Sequence, residues 1–188
     1  MKTNKITHGQ IISRKELTRS EHRRILDAVS KGEMVAIRGG LYSTIDSLTS
    51  SMVDIDKIVP DGILCLYSAW AYYDLTTQIP DSFYVAIDRS RKVRLPEFPQ
   101  IRLVFVSPDI IDIGAEKISI DGINVMIYDI ERCVCDALKY RNKIGIDVMA
   151  EILGSYLRRE DRNIRKLSEY ATKLRVSGIL KKYLEVKL

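Results

Sequence analysis

Lys31-Gly32-Glu33-Met34-Val35-Ala36-Ile37-Arg38-Gly39-Gly40-Leu41-Tyr42-Ser43 is the stretch that decides how this chain reads. A basic helical pattern runs into it and stops at Lys31-Gly32. Two short apolar runs follow, Met34–Ile37 and Leu41–Ser43, joined across Arg38-Gly39-Gly40. A helix closed by glycine and followed by a tight two-stranded turn is the pattern of the last helix and wing of a winged helix-turn-helix. The dominant use of that module is to hold a helix in the DNA major groove.

The helix itself is expected over Thr18 to Lys31. Glu21 stands three residues after Thr18, the spacing of a capping box. Ile25, Leu26 and Val29 supply its apolar stripe, and Arg19, Arg23 and Arg24 lie off it. Residues 1–17 leave room before it for a short turn or helix over Ile11–Leu17, so the module reads as abbreviated.

If this is a winged helix, the residues that face DNA follow from their positions. Arg19, His22 and Arg23 stand on the exposed face of the recognition helix, where arginine can grip guanine edges or phosphate. Arg14 and Lys15, just before the helix, reach the backbone. Lys31 and Arg38 bring charge to the wing. The competing reading is a solvated basic helix followed by an ordinary hairpin.

Composition supports a folded protein. The chain has 188 residues and 46% apolar side chains, enough for a real core and too many for a disordered chain. No apolar run approaches the roughly 18 residues a bilayer span needs. The start, Met-Lys-Thr-Asn-Lys-Ile-Thr-His, lacks the apolar core of a signal peptide. The expectation is a cytosolic (cytoplasmic) protein with no membrane partner. Cys65, Cys133 and Cys135 are an odd set without disulfide spacing, which suits a reducing compartment. Cys133 and Cys135 would point apart on a helix, and with only His8 and His22 as further soft ligands no metal site is expected.

Charge is uneven along the chain. Residues 1–50 carry nine Lys and Arg against five Asp and Glu. Residues 51–140 reverse this, nine against fourteen, and residues 141–188 hold twelve against six. Two basic ends flank an acidic middle, and only the ends should attract phosphate. Solvated helix faces would also account for the C-terminal excess.

A polar stretch over 44–58, with Ser47, Thr49, Ser50 and Ser51, reads as a connection. Leu64 to Asp74 reads as a buried helix, and Phe83–Ile87 and Ile101–Val106 as buried strands. Lys117–Ile120 and Ile123–Tyr128 flank Asp121-Gly122, a strong hairpin signal. From Asp129 the pattern turns helical, with helices starting at Asp129, near Ile146, near Asn163 and around Ile179. The expected fold class is α+β. An abbreviated N-terminal winged helix-turn-helix (1–46) and a linker (47–58) precede a mixed α/β C-terminal domain (59–188) that ends in a helical segment.

Catalytic patterns are weak. There is no Gly-rich phosphate loop, nucleophile elbow or His-x-x-x-His pair. Asp109 with Glu116-Lys117 is a poor match to a nuclease, because adjacent strand residues face opposite sides. Glu185-Val186-Lys187 has the right spacing at a chain end. Tyr67, Trp70, Tyr72 and Tyr73 could stack on bases, but a helix packing aromatics against a sheet is the commoner cause. No enzyme activity and no cofactor are expected.

Several runs recur in a specific order beyond the wing. They are Arg38-Gly39-Gly40-Leu41-Tyr42, Val59-Pro60-Asp61-Gly62-Ile63-Leu64-Cys65-Leu66-Tyr67-Ser68-Ala69, Leu75-Thr76-Thr77-Gln78-Ile79-Pro80 and Val85-Ala86-Ile87. Asp121-Gly122-Ile123, Asp136 within Ile130–Leu138, Tyr140-Arg141-Asn142-Lys143-Ile144-Gly145 and Tyr183-Leu184 continue the series. Together, over about residues 12–186, they resemble the AbiEi family, antitoxins of type IV (abortive infection) toxin–antitoxin systems. The resemblance implies an N-terminal winged helix that binds operator DNA and represses its own operon. It also implies a C-terminal α/β domain that counteracts a nucleotidyltransferase-like toxin without a stable complex. It brings no catalytic residues. Its DNA-contacting region falls on Arg19–Lys31 and Arg38 of this chain. The alternative is a non-catalytic module whose basic C-terminal helices bind protein or RNA.

Overall fold

The computed structural model describes residues 10–44, 46 and 52–187. His8 and linker residues 45 and 47–51 lie outside them. The fold is α+β, with eight helices and two sheets among the described residues. It packs as two compact units whose segments alternate along the chain. The first comprises residues up to Gly62 together with Lys92–Ile101 and Lys117–Met126; the second comprises Ile63–Arg91, Arg102–Glu116 and Ile127–Leu188.

In the first unit, strand β1 (Ile12–Ser13) leads into a 3-10 turn over Arg14–Glu16, and helix α1 follows at Arg19–Ser30. Strands β2 (Val35–Arg38) and β3 (Leu41–Ser43) come next, then the short helix α2 (Ile55–Ile58). The three strands form an antiparallel sheet in the order β1-β3-β2, so β3 is central. The turn or helix expected over Ile11–Leu17 is therefore a sheet strand followed by a 3-10 turn. The β2–β3 register runs Val35↔Ser43 and Ala36↔Tyr42, then slips to Arg38↔Leu41. A slip of this kind bends the strand and re-aims the next side chain, here Arg38.

The linker expected over 47–58 is corrected where it is described. Met52, Val53, Ile55 and Ile58 are all buried, so this stretch is core of the first unit. Its polar letters lie in 47–51, and the apolar residues after them are what pack. The boundaries 1–46 and 59–188 are replaced for the same reason. The first unit also takes up residues 92–101 and 117–126, which no linear division could assign to it.

The second unit contains β4 (Ile63–Leu64), helix α3 (Leu66–Tyr72), β5 (Phe83–Asp88), β6 (Ile101–Val106) and the short helix α4 (Pro108–Ile111). With strands β7 (Ala115–Ile120) and β8 (Ile123–Tyr128), a five-stranded sheet runs in the order β6-β5-β4-β8-β7, and Lys117–Met126 of these last two strands are counted with the first unit. Asp121 and Gly122 join β7 to β8 with φ of 51° and 80°, the positive pair that a two-residue hairpin turn requires. The helix expected from Leu64 starts later, because Leu64 pairs with Val85 in β5.

Four helices finish the unit: α5 (Ile130–Ile144), α6 (Ile146–Leu157), α7 (Ile164–Lys173) and α8 (Ser177–Lys187). Asp129 caps α5 by accepting from the Arg132 amide at 2.8 Å. Leu138, Met149, Ile152, Leu167 and Ala171 are fully buried between these helices. Each of the four larger side chains among them stabilises the unit by roughly 1.5–3 kcal/mol. Trp70 is also fully buried, and its indole N–H donates to the Cys133 carbonyl at 3.0 Å. Its role is packing rather than base stacking.

Charged groups inside this unit are matched. The Arg132 guanidinium is 1% exposed and lies 3.0 Å from Asp136. It also donates to the carbonyls of Ile110 and Ile113, both at 2.8 Å, and lies over the Tyr128 ring. Glu131 accepts from the Tyr156 hydroxyl at 3.1 Å and the Asn163 amide at 3.2 Å. Lys166 reaches Asp129 at 3.0 Å and Glu131 at 3.2 Å. Among the described residues no buried side-chain polar atom lacks a hydrogen-bond partner.

Candidate nucleic-acid interface

Helix α1 begins where the sequence places it. The Thr18 hydroxyl accepts from the Glu21 amide at 3.3 Å, and the Glu21 carboxylate accepts from the Thr18 amide at 2.9 Å. The Thr18 hydroxyl also donates to that carboxylate at 2.7 Å, and this bond, with that of the Thr18 amide, holds the Glu21 carboxyl below its ordinary range. The capping box thus satisfies the Glu21 and Thr18 amides locally.

The two faces of α1 differ from expectation in two places. Arg19, Arg23 and Arg24 are exposed, as a DNA-facing surface requires. His22 is not on that face. Its Nε2 lies 2.9 Å from the Tyr42 hydroxyl, and the two rings are 5.7 Å apart. Its place is against β3, beside the half-buried Ile25 and Val29, and it is withdrawn from the exposed set. Leu26 makes the opposite move and is 47% exposed. At 100° per residue it stands about 20° from Arg19 around the helix, so it shares the arginine face rather than the apolar stripe.

The residues around the turn between β2 and β3 are brought together. The Arg14 amide donates to the Gly40 carbonyl at 2.7 Å, and its guanidinium donates to the Leu17 carbonyl at 2.9 Å. Gly40 has φ of 80°, and a Cβ there would stand 3.2 Å from the Arg14 Cβ. The positive φ favours glycine here, and a side chain would also crowd Arg14. Lys15 is exposed beside this turn. Lys31 pairs with Asp27 at 2.7 Å, and that contact raises its pKa. Both partners are more than half exposed, so the pair contributes little to stability.

Arg38 is half-buried, and its Nη1 donates to the Arg94 carbonyl. Sequence reasoning missed this partner. Residues Arg94–Phe98 and Val35–Gly39 line a cleft of about 770 Å³ beside the wing, with Arg94 exposed and Phe98 48% exposed. Lys92, in the same segment, is also exposed. The signal was available: Arg89-Ser90-Arg91-Lys92-Val93-Arg94 has four cations in six residues. It was overlooked because residues 51–140 are acidic as a whole.

The weak catalytic patterns do not assemble. Glu116 accepts from the Tyr73 hydroxyl at 2.8 Å. Among the described residues no group of His, Cys, Asp or Glu is arranged to hold a metal ion. All three cysteines are buried thiols whose pKa burial pushes up. No described helix is long and apolar enough to cross a membrane. Neither models of known protein families nor curated proteins give a match to this chain.

Proposed function

We propose that this chain is an antitoxin-type transcriptional regulator that binds operator DNA through its first unit. The observation that carries the reading is topological. Helix α1 connects β1 to β2 in a β1-β3-β2 antiparallel sheet, with a glycine turn between β2 and β3. This order is compatible with the strands and wing of a winged helix, and in that reading α1 occupies the recognition position. Arg19 and Arg23 on its outer face suit base edges and phosphate, and Arg14, Lys15, Lys31 and Arg38 suit the flanking backbone. The ordered motifs of the AbiEi resemblance add the biological setting. In it the protein represses its own cytoplasmic operon and counteracts a nucleotidyltransferase-like toxin without a lasting complex.

A mobility-shift titration of the full chain against DNA from upstream of its own operon tests this. Scrambled competitor and two salt concentrations separate specific from nonspecific binding. Binding that survives competitor supports the reading, and weak binding erased by salt defeats it.

A second reading has one observation in its favour. Residues 141–188 carry twelve basic against six acidic side chains, so the C-terminal helices could instead bind RNA or a protein. Nucleic-acid binding that survives Arg19→Ala with Arg23→Ala, but not substitutions on α7 and α8, would favour it.

A further inference from the structure

The second unit has a cleft of its own, and its charge is one-sided. It has a volume of about 910 Å³ and lies where α4, the end of α5 and the α7–α8 turn meet. Lys139 and Arg141 reach it from α5, and Lys173 and Arg175 from the end of α7. None of these four is ion-paired to a carboxylate among the described residues. In the same unit Arg102, Arg132, Arg159, Arg165 and Lys166 have acidic partners, while Lys143, Arg158 and Arg162 on the surface have none among the described residues, so what sets the cleft apart is that four cations line one concave wall. Arg141 spends one N–H on the Leu138 carbonyl at 3.0 Å, which steadies its guanidinium and leaves the others available.

Arg175 is the most telling member. It has φ of 60°, the left-handed position that ends a helix and that glycine or asparagine usually fills. Its amide donates to Thr172 at 3.2 Å, and the Val176 amide donates to Ala171 at 2.8 Å. The turn thus needs this backbone conformation, but nothing in the turn needs an arginine side chain.

We infer that this cleft binds a ribonucleoside triphosphate. Converging cations in a concave wall focus field on a compact polyanion. The volume suits a small ligand rather than a length of duplex. The lining has a single carboxylate, Asp109, with the Ser107 hydroxyl near it in sequence. A carboxylate repels phosphate and accepts hydrogen bonds from vicinal hydroxyls, so it marks the ribose end. Ile110, Ile113 and Val176 give an apolar floor for the base. The inference rests on the second unit alone and is independent of DNA binding.

Isothermal titration of the full chain with ATP, GTP, CTP and UTP, and with inorganic tripolyphosphate, tests it. At least one nucleotide should bind saturably and at least tenfold tighter than tripolyphosphate. Lys139→Ser with Arg175→Asn should weaken that binding at least tenfold, and asparagine keeps the turn because it tolerates a positive φ. Asp109→Asn should narrow the preference for the ribonucleotide over its 2′-deoxy form. Absence of saturable binding, equal affinity for tripolyphosphate, an unaffected double variant of unchanged melting temperature, or binding of RNA alone would each overturn it.

Discussion

Arg132 and Asp136 stand one turn apart on α5 with their charged groups 3.0 Å from each other, both almost sealed from water. The guanidinium also holds the Ile110 and Ile113 carbonyls, so it ties α5 to the chain around α4. Arg132→Met strips Asp136 of its cation and leaves two carbonyls without this donor. The expected loss is about 3–5 kcal/mol in urea unfolding. Arg132→Met with Asp136→Leu should recover much of it, because an apolar pair does not carry the buried charge. A double variant as unstable as the single one would show that the carbonyl bonds, not the ion pair, dominate.

His22 holds α1 to the sheet through Tyr42. Tyr42→Phe should lower unfolding free energy by about 1 kcal/mol, the usual size of one such bond. The same change should leave the ranking of operator variants in a mobility-shift series untouched. Altered base preference in Tyr42→Phe would return His22 to the DNA-facing set.

Arg23→Ala with Arg38→Ala probes the helix face and the wing together. Each lost phosphate contact should lower the slope of log affinity against log salt by about 1, and an arginine on a base edge costs about 1–3 kcal/mol. Lys92→Ala with Arg94→Ala should reduce affinity in the same direction if the segment beside the wing also tracks the backbone. Unchanged affinity in the first double variant refutes the proposed surface.

Glu151 clamps the loop after α3. Its carboxylate accepts from the Thr77 amide at 2.7 Å and from the hydroxyls of Thr77 and Thr76, both at 3.0 Å. The Thr77 amide is the main reason its pKa is lowered from the ordinary 4.5. A carboxyl with a depressed folded pKa contributes stability present above its unfolded pKa and lost as pH falls through the folded value. Protection of the Thr77 amide from hydrogen exchange should therefore weaken as pH drops below 4.5. Glu151→Gln should give weak protection across the range and remove the pH dependence. A wild-type profile in that variant would contradict the clamp.

Local signals carried most of the elements. Thr18 with Glu21, Asp129, Asn163 and Asp121-Gly122 each act on neighbours within a few residues, so their letters predict the caps and the turn that form. Failures came where distant contacts decide. Nothing beside His22 announces Tyr42, twenty residues away. Leu26 fits an apolar stripe by composition, yet the helical angle puts it with the arginines. Arg94 is 56 residues from Arg38, and only the folded chain shows that its carbonyl takes the wing guanidinium. The burial of Glu131, Arg132 and Asp136 went unread because burial of matched charges is invisible in a one-dimensional pattern.

The alternation of segments between the two units has a practical side. Residues up to Gly62, 92–101 and 117–126 interleave with the rest, so the backbone passes from one unit to the other five times. A fragment cut at residue 46 or 62 is not the whole first unit. It would lose Arg94, the partner of Arg38, and two of the three segments that build its own interior. Dissection by scissors will mislead here. Point substitutions in the intact polypeptide are the way to test each surface. Any transplant of the first unit must exchange three stretches at once.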